Sequence, residues 1–208
     1  GIQPHIVACR AKKLVTKTVK QKIAMFSNVS EPRVFSMHDR KSVYEVPDAM
    51  RDEGLDREVL SILELHGRVN SSAEDLARKT WSNFTSKMCS ISKNKISIGV
   101  LGKYTGIPDA YASIEKALEH AGTKLSTDIN IKWIDVSKVN KESVGSILLS
   151  ENIHGAVVPG GFGERGFEGK IECIKNLREK KVPFLGICFG FQAAVIEYSR
   201  NILKWKNA

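Results

Sequence analysis

Short apolar runs alternate with amphipathic segments from about Lys95 onward, and this alternation restricts the fold more than any other feature of the chain. It predicts strands at residues 96–102, 129–134, 155–158 and 182–187, and helices at 110–121 (ending at Gly122), 143–149, 168–180 and 190–200. Strands that alternate with helices form parallel sheets with crossover connections. Pro159-Gly160-Gly161 and Cys188 each follow a predicted strand. We therefore expect both at the edge of the sheet where α/β proteins bind ligands.

The first 94 residues have a different pattern. Residues 6–9, 17–26 and 34–37 predict a strand, a helix and a second strand, which is one β-α-β unit and too small to enclose a core. Residues 51–66 and 72–88 predict helices, the second with Ser71 as its N-cap and Glu74 three residues later. We interpret the chain as three segments: 1–50, a helical linker at 51–94, and 95–208.

The chain is basic, with a net charge of +9, and much of the excess lies at its beginning. Residues 1–50 hold nine Lys and Arg against four Asp and Glu, a difference of five. Such a segment fits nucleic acid, an acidic membrane surface or nucleotide phosphates, and it also fits a solvated lysine-rich helix face. No aromatic residue is interleaved with the basic residues between Arg10 and Lys22, which argues against binding of single-stranded nucleic acid.

The lengths of the apolar runs and the spacing of the cysteines indicate where in the cell the protein is expected. No apolar run approaches the roughly 18–20 residues that cross a bilayer, and residues 1–5 do not resemble the start of a signal peptide. We expect no membrane association. The four cysteines include no C-x-x-C pair, so neither a zinc site nor a thioredoxin-type motif is predicted. Reduced thiols in a cytoplasmic protein are the expectation.

The strongest motif is G-x-C-x-G, formed by Gly186, Cys188 and Gly190 between a predicted strand and a predicted helix. This is the cysteine form of a nucleophile elbow, in which glycines flank a sharp turn because side chains there would clash. The N–H groups and dipole of a helix N-terminus favour the reactive thiolate. The N–H of Phe189 would then face a developing oxyanion. A buried structural cysteine is the alternative, and the paired glycines argue against it.

A second motif places five glycines between residues 160 and 169, directly after a predicted strand. Such a loop can supply the second oxyanion-binding N–H to an elbow on the neighbouring strand. A phosphate-binding loop and a flexible surface loop are the alternatives. No G-K-[ST] follows, which excludes a Walker A loop.

Together these motifs resemble the class I glutamine amidotransferase family, and more narrowly the CTP synthase family. The narrower resemblance rests on G-G-F-G-x-R-G-x-E-G-K-I from Gly160, and on residues 22–26, 42–47, 102–104 and 110–113. It implies an open, mostly parallel, flavodoxin-like sheet, here an incomplete amidotransferase domain (95–208). It also implies that residues 1–50 are the β-α-β end of a P-loop-like synthetase domain, followed by the helical linker.

The resemblance implies an enzyme that aminates UTP to CTP with ATP, using ammonia from glutamine. It implies Mg²⁺ bound with ATP through ligands outside this chain, with none within it, no prosthetic group, and GTP as an allosteric activator. A cytoplasmic homotetramer without nucleic-acid or membrane partners is also implied. The alternatives are another class I amidotransferase, a γ-glutamyl hydrolase, or a non-catalytic nucleotide-binding or filament-forming protein.

The resemblance also assigns roles to individual residues. Cys188 is the implied catalytic nucleophile, and Gly160 and Gly161 belong to the oxyanion and glutamine-binding loop. The segment that closes around glutamine is Phe189, Gly190, Phe191 and Gln192, with phenylalanine where the family usually has leucine and methionine. The residues implied to contact nucleotides are Arg10, Lys22, His38, Asp39 and Arg40.

A cysteine amidotransferase also needs a histidine base and a carboxylate, which in this family come from an H-x-E segment after the elbow. None of the five histidines has Glu two residues later, and His154 is expected to be structural at the opposite end of the sheet. The phosphate loop of the synthetase domain is also expected to precede Gly1. We therefore expect the 208-residue polypeptide to have neither activity by itself.

Overall fold

The computed structural model describes residues 2–90, 94–107, 109–205 and 208, and the chain divides into two units, Gly1–Ser90 and Ile91–Ala208. The first unit contains the predicted β-α-β arrangement, since its two strands pair in parallel with Val7 opposite Val34 and Ala11 opposite His38. Its elements are β1 (Val7–Ala11), α1 (Lys17–Ser27), β2 (Val34–His38), α2 (Val46–Asp52), α3 (Leu55–Ile62) and α4 (Ser71–Cys89).

The helices predicted as a linker pack within this first unit. The Trp81 indole N–H donates to the Tyr44 carbonyl at 2.9 Å, and both rings lie against Phe84. An ion pair of 2.8 Å joins Lys20 to Glu53. The helix α4 begins one residue earlier than expected, because the side chain of Asn70, not Ser71, caps it by accepting from the Ala73 N–H. The division at residues 51–94 stays a prediction, and residues 91–93 lie outside the described residues.

The second unit contains a four-stranded parallel sheet, as the alternating pattern predicts. The strand order is β4-β3-β5-β6, so the chain first adds a strand on one side of β3 and then continues on the other. The elements are β3 (Asn94–Gly102), α5 (Ala112–Leu125), β4 (Thr127–Asp135), α6 (Val144–Ser150), β5 (Gly155–Val158), α7 (Phe167–Glu179), β6 (Phe184–Gly186) and α8 (Phe189–Asn201).

The predicted end of α5 at Gly122 is wrong. The helix continues to Leu125, and Ser126, with a φ of 51°, takes the left-handed conformation that ends it. Gly122 is buried inside the helix, where an added Cβ would lie 2.6 Å from the Thr127 carbonyl oxygen. The glycine therefore permits close packing of α5 against the start of β4, and does not terminate the helix.

The core of the second unit lies between the sheet and helices α7 and α8. Leu101 and Val158 from the strands are fully buried with Ile174, Leu177 and Ala193 from the helices. An ion pair between Arg178 on α7 and the buried Glu197 on α8 links the two helices, with N–O distances of 2.8–3.2 Å. This packing supports the carboxyl ends of β5 and β6, where the two sequence motifs lie.

None of the described helices is both long enough and apolar enough to span a bilayer.

Candidate active site

Cys188 occupies the sharp turn between β6 and α8. It is exposed and adopts φ 53° and ψ −115°, a conformation that residues with a Cβ rarely take. Such strain is typical of nucleophile elbows, where it projects the reactive side chain from the end of a strand. The predicted strand–cysteine–helix arrangement is thereby confirmed.

The two glycines that flank Cys188 are required by close backbone contacts. A Cβ on Gly186 would lie 2.8 Å from the carbonyl carbon of Gly190, and a Cβ on Gly190 would lie 1.9 Å from the Val158 carbonyl oxygen. Helix α8 can begin directly over the ends of β5 and β6 only because both positions lack a side chain. The G-x-C-x-G spacing thus follows from the geometry of the elbow.

The glycine-rich loop after β5 lies beside Cys188, as the strand pattern predicts. A Cβ built on Gly160 would be 3.4 Å from the Cys188 Cβ and 3.7 Å from its Sγ. Gly161 and Gly163 have φ of 116° and 92°, so the loop follows a path open to glycine. The loop and the elbow therefore form one site at the carboxyl edge of the sheet.

The residues after Cys188 are divided between the interior and the surface. Gly190 is buried, and the half-buried Phe189 ring packs on Phe167, with ring centres 5.0 Å apart. Phe191 and Gln192 are exposed, and their N–H groups donate to the Cys188 carbonyl at 3.0 and 3.2 Å. Phe189 opens the helix, so its N–H has no carbonyl partner within the helix and suits the oxyanion role.

Two buried lysines at this site were missed by the sequence reasoning. Lys170 on α7 is 2% exposed, and its ammonium donates to the carbonyl oxygens of Pro159 at 2.7 Å and Gly160 at 3.3 Å. Lys103, directly after β3, is also buried and donates to the Phe162 carbonyl.

A signal for Lys170 was present in the sequence. It precedes Cys173, Ile174 and Leu177 at the spacing of one helix face, and all four are buried. A lysine at an apolar position of a helix face indicates an ammonium that needs buried acceptors, which here are the two carbonyl oxygens.

The surroundings of Lys170 alter its protonation. Burial is the largest influence and lowers its pKa to about 8; the nearby Lys103 ammonium also lowers it, whereas Cys188 raises it. A lysine with this pKa loses its charge more readily than an exposed one, and its charge state is sensitive to the thiol beside it.

We expect this pKa to be visible in the stability of the fold. Between about pH 8 and pH 10, the unfolding free energy of the natural sequence should rise by about 1–2 kcal/mol relative to that of a Lys170→Met variant. In that window the unfolded chain keeps the Lys170 proton and the folded chain has lost it, so raising the pH favours folding. Urea denaturation of both proteins across this range measures the difference, and a constant difference would contradict the expectation.

All five residues that are predicted to contact nucleotides lie in the first unit, Gly1–Ser90. Arg10 on β1 forms an ion pair of 2.5 Å with Asp39, which follows β2, and His38 ends that strand. Arg40 lies near Asp48 and Asp52 at a small cavity. Lys22 is on the exposed face of α1. The structure thus brings Arg10, His38 and Asp39 to one end of the strand pair.

His154, in the second unit, lies away from Cys188. The His154 ring accepts a hydrogen bond at 3.0 Å from the Ser97 N–H, just before β5 begins and therefore at the opposite end of that strand from Cys188. Its predicted position at the opposite end of the sheet is confirmed. In the part of the chain that the structure describes, no cluster of three or more His, Cys, Asp or Glu side chains could hold a metal ion.

Two family models match separate parts of the chain. The model described as CTP synthase N-terminus matches residues 1–65, and the model described as Glutamine amidotransferase class-I matches residues 106–208. The CTP synthase of Clostridium acetobutylicum is 42% identical over all 208 residues, and that of Halalkalibacterium halodurans is 41% identical over the same length. The chain belongs to the CTP synthase family.

This CTP synthase family member covers 37% of the length of each of these two relatives. Among solved structures, it is similar to the glutaminase domain of Trypanosoma brucei CTPS with bound acivicin, with 32% identity and a TM-score of 0.49. That alignment covers 54% of this chain and 43% of the other. The similarity to curated CTP synthases extends over both units, and the family resemblance inferred from the motifs is confirmed.

Proposed function

We propose that this chain is part of an enzyme that aminates UTP to CTP with ATP, and that Cys188 releases the ammonia from glutamine. The observation that carries the proposal is the strained Cys188 elbow beside the Gly160 loop, within a chain whose relatives are CTP synthases. A nucleophile, helix N–H groups and a glycine-rich loop together suit acyl transfer.

In the proposed glutaminase step, the Cys188 thiolate attacks the carboxamide carbon of glutamine. A sulfur–carbon bond forms, and the carbonyl oxygen becomes an oxyanion that accepts from the Phe189 N–H and from the loop of Gly160 and Gly161. The carbon–nitrogen bond then breaks, ammonia leaves after taking up a proton, and a γ-glutamyl thioester remains. Water hydrolyses the thioester to glutamate and restores the thiol.

The remaining elbow residues have supporting roles in this proposal. Gly190 allows the helix to start close to the sheet, and the exposed Phe191 and Gln192 side chains contact the glutamine or the segment that covers it. The half-buried Phe189 ring packs against Phe167, so a phenylalanine there does not obstruct Cys188.

The first unit would serve the nucleotide half of the reaction. Arg10, Lys22 and the segment His38, Asp39 and Arg40 offer exposed or half-exposed polar groups suited to triphosphates. Mg²⁺ would be bound together with ATP through ligands outside this chain, and the described residues form no cluster of three or more His, Cys, Asp or Glu side chains that could hold it.

The proposal also covers the type of each domain, the activator, the oligomeric state and the cellular location. The second unit would be a flavodoxin-like amidotransferase domain, since its β4-β3-β5-β6 order is the beginning of the doubly wound 2-1-3-4-5 order. Residues 1–50 would end a P-loop-like synthetase domain, and 51–94 would link the two. GTP activation, a homotetramer and a cytoplasmic location are proposed from the family.

Covalent labelling tests the glutamine site. We expect a diazoketone analogue of glutamine to modify Cys188 at least about 10-fold faster than Cys9 or Cys89, because the elbow both activates the thiol and binds the analogue. Intact mass and peptide mapping of the 208-residue polypeptide locate the adduct. This reaction does not require turnover, so it needs no histidine base from the polypeptide.

Two controls give the test its specificity. Excess glutamine should slow the labelling of Cys188, and the matching glutamate analogue without the diazoketone should give no adduct. Equal labelling of the exposed cysteines, or no protection by glutamine, would contradict the proposed function and favour a non-catalytic relative.

A further inference from the structure

We propose that Lys170 is a positioning residue that sets the orientation of the oxyanion loop. The inference rests on the proposed function and assigns a role to a buried group that the proposed mechanism does not use. Its basis is the pair of hydrogen bonds from the Lys170 ammonium to the carbonyl oxygens of Pro159 and Gly160, at 2.7 and 3.3 Å.

These bonds determine which way the loop amides face. In a trans peptide the C=O and the following N–H point in opposite directions. Because Lys170 holds the Gly160 carbonyl, the Gly161 N–H is directed away from Lys170. Gly160 itself lies against Cys188, since a Cβ added to it would be 3.7 Å from Sγ. The Pro159 and Gly160 carbonyls therefore face the buried lysine, and the Gly161 N–H is left available to the Cys188 site.

A second lysine holds the next part of the same loop. The Lys103 ammonium donates to the Phe162 carbonyl, and the Lys103 side chain lies against Gly161, where an added Cβ would be 3.5 Å from Cε. Three carbonyl oxygens of residues 159–162 are thus held by two buried ammonium groups. Glycine at 161 and 163 allows the backbone to follow this path with positive φ.

The cost of this arrangement indicates a purpose beyond packing. Among the described residues, no carboxylate forms an ion pair with Lys170, and the neighbouring Lys103 carries the same charge. The groups facing Lys170 are the two carbonyls, the Phe189 ring at 5.4 Å, Lys103 and Cys188. Burying an ammonium without an acidic partner is unfavourable.

The buried charge would act on the reaction through the peptide it contacts. A cation on a carbonyl oxygen polarises the amide, so that its N–H becomes a stronger donor to an oxyanion. Lys170 would not touch the glutamine. It would position and polarise the Gly160–Gly161 peptide, and that peptide would contact the glutamine.

Acylation by the γ-nitrophenyl ester of glutamate tests this role in the 208-residue polypeptide. The Cys188 sulfur bonds to the ester carbonyl carbon, the carbon–oxygen bond breaks, and nitrophenolate leaves with the electron pair. No proton has to be supplied, and the released nitrophenolate is followed by absorbance. The step passes through the same oxyanion as glutamine hydrolysis, so its rate reports on the loop.

We expect Lys170→Met to slow this acylation about 10-fold, because a displaced donor weakens oxyanion stabilisation. Lys170→Gln keeps a donor and should recover part of the rate. Alkylation of Cys188 by iodoacetamide needs no oxyanion site and should change less than about 3-fold. Lys180→Met, which removes an exposed lysine just after α7, is the matched control and should leave both rates unchanged.

Hydrogen exchange decides the structural half of the inference independently of the chemistry. Amides of residues 160–163 should exchange faster in Lys170→Met than in the natural sequence. In Lys170→Gln their exchange rates should lie between those of the other two proteins. If Lys170→Met folds poorly, the comparison of Lys170→Gln with the natural sequence still decides the question. Unchanged exchange and acylation, or equal losses of acylation and iodoacetamide alkylation, would overturn the positioning role. If the natural sequence is not acylated, the proposed function fails, while the exchange measurement still decides whether Lys170 orders the loop.

Discussion

Replacing Gly190 with alanine should destabilise the second unit by at least about 4 kcal/mol, which is larger than most single substitutions achieve. The added Cβ would lie 1.9 Å from the Val158 carbonyl oxygen and 2.7 Å from its carbonyl carbon. Both are backbone atoms of a buried strand, so no side-chain rotation relieves the overlap. Either β5 or the start of α8 must move.

Urea denaturation followed by tryptophan fluorescence measures this loss, since Trp133 lies in β4 of the same unit. The matched control is Gly106→Ala, where an added Cβ meets no atom within 4 Å, and its effect should stay within about 1 kcal/mol. A Gly190→Ala protein as stable as Gly106→Ala would show that the elbow does not approach β5 as closely as described.

The parts of the fold that could be predicted are those with a local cause. Strand β5 has a continuous apolar run, and the elbow has glycines on both sides of Cys188, so the sequence alone places the elbow and the loop after β5 at the carboxyl edge of a sheet. A side chain at position 190 would clash with the Val158 carbonyl, which explains why the G-x-C-x-G spacing is informative. One backbone contact thus accounts for a motif that is visible in sequence.

The parts that could not be predicted depend on contacts between distant residues. Gly122 has the local appearance of a helix end, but its role is set by the Thr127 carbonyl, so the helix continues. The helix-face pattern of residues 170, 173, 174 and 177 indicates that Lys170 is buried, but it does not show that its partners are carbonyls of the preceding loop. Trp81 bonds to Tyr44, which places a predicted linker helix in the first unit. Periodicity carries no information about such partners.

Replacing Cys188 with glycine should abolish labelling by the glutamine analogue and, at the same time, stabilise the fold relative to Cys188→Ala by about 1 kcal/mol. The residue has φ 53° and ψ −115°, and a Cβ in so sparsely populated a conformation costs about 1–3 kcal/mol. Glycine removes that strain but loses about 0.5–1 kcal/mol to the greater freedom of the unfolded chain. The difference favours glycine.

Alanine is the appropriate comparison, because it removes the thiol and keeps the Cβ. Both variants lose the nucleophile, so neither should form the adduct, and only their midpoints in urea should differ. Cys188 is exposed, so the loss of its sulfur removes little packing from either variant. If Cys188→Ala proves as stable as Cys188→Gly, the strain at this turn is no larger than the roughly 0.5–1 kcal/mol that glycine loses to the unfolded chain, and the expected difference is contradicted.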